Sequence, residues 1–162
     1  MRIPGRFLSI VTFLTLSSVS TAGADQPVRV PTAQMAPIRT IVAAFNRGDL
    51  APPSGTLLPD ASVISDGVAP YYFQGTDAIA RWWSTIVGGN DTKKRTAFLA
   101  AHVTQVLEEP AFAKTNGTSA YLVIPFSLTS TKNGLRQTRH FTWIIAERKS
   151  MQGWIVAGQA FR

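Results

Sequence analysis

Ile38, Ile41, Val42 and Phe45 recur at the three- and four-residue spacing of a single helix face. They predict a first helix that starts just after Pro37 and stops at Gly48, where glycine suits a left-handed cap. Asp49 could cap a second helix, but Pro52, Pro53 and Gly55 keep it short or irregular. Ala61 to Ser65 reads as a short strand, and Gly67 to Gly75 as a loop with Pro70 and two tyrosines. Ile79, Trp82, Trp83 and Ile86 then fall at i, i+3, i+4 and i+7. Thr76 or Gly75 therefore opens an amphipathic helix that Gly88 and Gly89 close.

Beyond Gly89 the alternation changes to period two. Arg95 to Glu108, Ser119 to Ser130, Arg136 to Glu147 and Gly153 to Phe161 are four strand candidates. Asn133-Gly134 between the second and third is a strong hairpin signal, and Asn116-Gly117 marks another turn. Helices first and a meander afterwards predict an α+β fold with an antiparallel sheet.

Composition narrows the compartment and the partners. Arg2 and Arg6, the apolar run Phe7 to Val19 and the small-residue site Ala22-Gly23-Ala24 read as a secretory signal cleaved after Ala24. The apolar run is too short to span a bilayer. The expectation is a secreted or periplasmic protein with no membrane association once residues 1–24 are removed. Residues 25–36 read as an extended arm carrying Pro27 and Pro31, and residues 37–162 as the domain. The chain has no cysteine, so no disulfide or thiolate metal site is available. Its net charge is +7, of which Arg2 and Arg6 supply two, and the only basic cluster is Lys93-Lys94-Arg95. That cluster reads as a solvated loop leading into a strand, not as a nucleic-acid stripe. Two histidines, no H-E-x-x-H and no glycine-rich phosphate loop imply neither a metal nor a nucleotide cofactor.

The phrases AAFNRGDL, DASVISDG, FQGTDAIARWW, AYLVIP and GWIVAGQAF, in this order and at these intervals, resemble the SnoaL-like branch of the NTF2-like superfamily over roughly residues 37–161. The resemblance implies a cone, a curved antiparallel sheet wrapped over the N-terminal helices with an apolar pocket at its wide end. Members include isomerases, dehydratases, cyclases and epoxide hydrolases, and also proteins that only bind or dimerise, so fold does not fix function.

In ketosteroid isomerase, a member of this fold, a tyrosine and a protonated aspartate bind the oxyanion and a second aspartate is the base. The resemblance puts Ile41 at the tyrosine, Arg139 at the protonated aspartate and Ser65 at the base. An isoleucine donates no hydrogen bond and a guanidinium does not imitate a neutral carboxylic acid, so that chemistry is absent. Asp66 stands one residue beyond the base position. It is either a turn residue before Gly67 or, if the strand end turns it inward, an acid at the pocket mouth. On the strand after the hairpin, Arg139, Phe141, Trp143 and Ile145 form the more apolar set and are expected to face the interior. Arg139 would then need a partner, Asp66 or an acidic ligand; otherwise it is an exposed arginine whose stem covers apolar surface. His102, read as lying on a long strand, and His140 are further acid–base candidates, or else structural residues. Tyr71, Tyr72, Trp82, Phe141, Trp143 and Gln159 are the candidate ligand contacts.

Three functional classes follow. One is an exported binder of a small apolar or aromatic molecule, acidic if Arg139 orients it. The second is a lyase, isomerase or hydrolase acting on a cyclic or polyketide-like molecule, with Asp66 or His102 as base and Arg139 stabilising developing charge. The third is a non-catalytic domain whose outer sheet face pairs with a second copy as a homodimer.

Overall fold

The structure, a computed structural model, describes residues 28–65, 69–75 and 77–162. The secretory signal expected over residues 1–24 and the acid Asp66 lie outside the described residues.

Helix α1 spans Thr32–Arg47, so it begins six residues before the predicted start at Ile38, just after Pro37. The extended arm predicted for residues 25–36 is thus helical from Thr32 onward. The reason is packing. Gln34 and Met35 are buried and extend the stripe of Ile38, Ile41, Val42 and Phe45 by one turn. Burying that turn outweighs the hydrogen bond that Pro37 cannot donate. Gly48 ends the helix at φ 67°, and the amide of Asp49 reaches back to the Ala44 carbonyl at 3.0 Å. No second helix follows Asp49, since the prolines leave only bends and a turn at residues 54–56 before strand β1, Leu57–Ser65.

Strand β2, Tyr72–Phe73, lies inside the predicted loop. Helix α2, Ala78–Val87, is the predicted amphipathic helix, closed by Gly88 at φ 89°. The first predicted strand is instead two elements. Helix α3, Thr92–Ala100, takes its N-cap from Asp91, whose carboxylate accepts from the amides of Lys93 at 3.0 Å and Lys94 at 3.1 Å. The basic cluster is accordingly the first turn of a helix. His102 follows α3 at φ 45° and is not a strand residue; strand β3 is only Thr104–Leu107. A capping aspartate decides this segment against an alternation too irregular to be a real period of two.

The remaining strands are β4, Phe112–Thr115, which the pattern missed, then β5, Ser119–Lys132, β6, Leu135–Ser150, and β7, Gly153–Phe161. Asn133 and Gly134, at φ 52° and 76°, make the two-residue turn between Lys132 and Leu135, as their sequence demands. The sheet order is β2-β1-β7-β6-β5-β3, with β4 also paired to β5 beyond β3. It is mixed, because β1 runs parallel to β7, and this corrects the all-antiparallel expectation. Local alternation and turns report sequential neighbours only, and this pair joins the two ends of the domain. The architecture is an α+β cone with helices against one face of a curved, open sheet. Leu122, Ile124, Trp143, Ile145 and Val156 on that face are all at most 1% exposed and form the core with Ile38 and Trp83.

Candidate functional site

The core fills the cone at one end only. Under α1, the inward residues Leu122, Ile145 and Val156 are fully buried. Toward the other end of the same strands the packing opens into a cavity of about 350 Å³. Its walls are Ile41 and Phe45 of α1, Trp82, Trp83, Thr85 and Ile86 of α2, Phe98 of α3 with Val103 just after it, and Ser65 at the end of β1. The sheet closes it with Gln105, Phe126, Leu128, Phe141, Trp143 and Phe161.

The walls are built from stacked rings. Phe161 stacks between Trp82 and Trp143, with centroids 5.6 and 5.2 Å away and planes inclined by 18° and 24°. Phe126 stacks on Phe141 at 5.4 Å and 20°. None of the described lining residues carries an ionisable side chain. Their polar groups are the hydroxyls of Ser65 and Thr85, the amide of Gln105 and the indole N–H groups. Such a cavity can bind an apolar, ring-shaped molecule and orient it through a few hydrogen bonds.

The predicted site residues separate into groups. Trp82, Phe141 and Trp143 line the cavity. Of the three positions equivalent to the isomerase machinery, Ile41 and Ser65 also line it. Arg139 does not. It is exposed on β6, opposite Leu128 in register, and Leu128 is a lining residue, so Arg139 stands one step outside the wall. The interior set on β6 therefore begins at Phe141, because the sheet runs past its helix cover before reaching Arg139. His102 is exposed at the end of α3, and His140 is exposed with its Nδ1 3.6 Å from Glu108 Oε1. Tyr71 and Tyr72 are 57% and 49% exposed, away from this cavity. Gln159 is buried, but its side chain is engaged with the core, accepting from Trp143 Nε1 at 3.1 Å.

One ionisable group escaped the sequence reading. Glu147 is 2% exposed, it faces inward between Ala120 and Val156, and neither carboxyl oxygen has a hydrogen-bond partner. Burial pushes its carboxyl from an ordinary 4.5 up to about 8. The sequence did hold the signal, since Glu147 continues the inward series Phe141, Trp143, Ile145 at period two. It sits at the filled end of the cone, apart from the cavity, and so is no part of the pocket's chemistry. Thr115 stands in the same row of the sheet, and its Oγ1 accepts from Nε2 of Gln34 on α1 at 2.8 Å.

No protein-family model and no curated protein matches the chain. Solved structures do. An NTF2-like protein with a cystatin-like fold from Novosphingobium aromaticivorans superposes with a TM-score of 0.62 at 17% identity, over 78% of this chain and 76% of that one. A ketosteroid isomerase-like protein from Erwinia carotovora atroseptica gives 0.57 at 19% identity, over 80% and 92%. The hub of the calcium/calmodulin-dependent kinase II of S. rosetta gives 0.63 at 12% identity, over 85% and 98%. At these identities the likeness speaks for architecture, and with the cone, the helices on its concave face and the cavity at its open end it establishes that the chain has the NTF2-like fold.

Proposed function

We propose that this protein is a small-molecule-binding domain whose ligand is an apolar, aromatic compound held in the cavity between α1, α2 and the open end of the sheet. The observation that carries the proposal is a 350 Å³ space bounded by stacked aromatic rings in a cone whose other half is packed solid. A purely structural domain gains nothing from an unfilled half-core, because missing contacts there cost stability. The absence of any ionisable group among the described lining residues favours binding over acid–base turnover. The enzymatic alternative rests on Asp66, which follows the lining residue Ser65, acting together with Arg139 at the rim. Native mass spectrometry of purified protein, followed by comparison of the wild type and Asp66→Asn, separates the two. A retained small molecule that both proteins bind unchanged supports the binder. Turnover lost in Asp66→Asn with binding retained supports the enzyme. Export through residues 1–24 belongs to the same proposal, and N-terminal sequencing of the protein recovered outside the cytoplasm tests it at Asp25.

A second reading, pairing with another copy of the chain, is favoured by a separate observation. On the sheet face away from the helices, Tyr72, Ile64, Ala160, Ile144, Val123 and Phe112 stand in one register row across six strands, and all six are apolar or aromatic. Ile64, Tyr72 and Phe112 are each nearly half exposed. A row spanning roughly 24 Å at the usual strand spacing is the width of an ordinary interface. Binding and pairing use opposite faces and are compatible.

A further inference from the structure

The cavity has a floor and a lip, and burial tells them apart. Ile41, Trp83 and Trp143 are at most 2% exposed and belong to its floor. Thr85 and Ile86 of α2, Phe98 of α3, and Leu128 and Phe141 of the sheet also line it but keep part of their surface in solvent, so the cavity opens between them.

Arg139 stands on the sheet side of that lip. Leu128 is its partner across the β5–β6 ladder and Phe141 lies two residues along the same strand, so two lining residues flank it on this side of the sheet. The ladder runs from Ser119 and Arg148 to Lys132 and Leu135 without a register shift, so no bulge turns Arg139 to the outer face. At ordinary ladder spacing the Cβ atoms of Arg139 and Leu128 are roughly 5 Å apart. The arginine stem can therefore lie along Leu128 and carry its guanidinium over the opening.

That guanidinium is uncommitted. Arg139 is exposed and makes no ion pair or side-chain hydrogen bond among the described residues. Asp49, Asp91 and Glu108 face Arg47, Lys94 and His140 instead, and none of the described lining residues is acidic. An anion at the mouth thus meets a fixed cation, whose planar fork of donors matches a carboxylate. Deeper in, the aromatic wall offers a charge no counter-ion, so the charged end of a ligand has to stay at the lip.

Resting on the reading of this cavity as a ligand site, we infer that its occupant is an aromatic carboxylic acid, bound with its ring in the cavity and its carboxylate at the lip against Arg139. The test compares biphenyl-4-acetate with biphenyl-4-acetamide, two probes with the same rings that differ in one charge, by isothermal titration calorimetry on the purified protein at pH 7. A cavity with no cation at its mouth prefers the amide, because the carboxylate loses more hydration on entry. The expected result is the reverse: at low salt the acid binds about fivefold more tightly, the upper end for an exposed ion pair, and added salt erodes the advantage. Arg139→Gln removes the charge at an exposed position, so amide affinity is retained and the acid preference disappears. Lys132→Gln removes a cation from the same side of the hairpin, four residues beyond Leu128, and leaves the preference in place, which separates a seated carboxylate from attraction by the net positive charge of the chain. Equal binding of the two probes, a preference that survives Arg139→Gln, or one lost equally in Lys132→Gln overturns the carboxylate assignment while leaving the cavity a ligand site. A preference that emerges only in Asp66→Asn overturns it too, by showing that this acid already holds the guanidinium. Failure of both probes to bind the wild type removes the ligand-site reading and this inference with it.

Discussion

Replacing Glu147 by glutamine should stabilise the protein at neutral pH and do little in acid. The carboxyl is 2% exposed without a hydrogen-bond partner, and burial raises it from 4.5 to about 8. Below about pH 4.5 the group is neutral in the folded and unfolded chains alike and carries no ionic cost. Between 4.5 and 8 the unfolded chain ionises while the folded one retains its proton, so stability falls by about 1.4 kcal/mol per pH unit. By pH 7 the loss is about 3 kcal/mol, and above pH 8 it levels off as the folded form ionises too. Glutamine has nearly the same shape and never ionises, so Glu147→Gln removes that slope. Urea unfolding of both proteins at pH 5, 7 and 9 reads the difference directly. The variant should gain up to about 3 kcal/mol at pH 7, about 1 kcal/mol at pH 5, and more again at pH 9. A variant destabilised equally at all three values would refute the reasoning, because it would mean that the carboxyl is held by specific contacts and not penalised by burial.

Three further outcomes are expected. Gly88→Ala should destabilise by roughly 2 kcal/mol or more, since Gly88 sits at φ 89° and an added Cβ would meet the Arg95 backbone nitrogen at 2.4 Å; thermal melting measures it, and an unchanged melting temperature would show that the α2–α3 junction is free to shift. Asp91→Ala removes the acceptor for two amides at the start of α3 and should cost about 1 kcal/mol in chemical denaturation, whereas Asp91→Ser should restore most of it. Ile144→Lys places a charge in the middle of the outer apolar row, so sedimentation velocity should show a dimer in the wild type and a monomer in the variant, with little change in melting. A wild type that is monomeric at about 100 μM would rule out the pairing reading.

Part of the candidate site was legible in the chain. The helical spacing of Ile79, Trp82, Trp83 and Ile86 gave α2 its buried face, and three of these four, Trp82, Trp83 and Ile86, became cavity wall. The alternation Phe141, Trp143, Ile145 was read correctly as facing inward. What failed was the extrapolation at its two ends: Arg139 lies beyond the helix cover and is exposed, while Glu147 lies under it and is buried. Alternation reports which side of a strand a residue occupies and carries no information about how far the opposing layer extends.

The same distinction separates sequence from tertiary structure throughout this protein. Positive φ at Asn133, Gly134, Gly48 and Gly88, and the helical and alternating apolar stripes, are local properties of the chain, set by backbone sterics and by side chains a few residues apart. The parallel pairing of β1 with β7, the early start of α1 through Pro37 and the cavity itself depend on residues up to a hundred positions apart meeting in space. Long-range packing alone decides where the core is complete and where it stays open, because the free energy of a contact depends on what the distant partner brings to it.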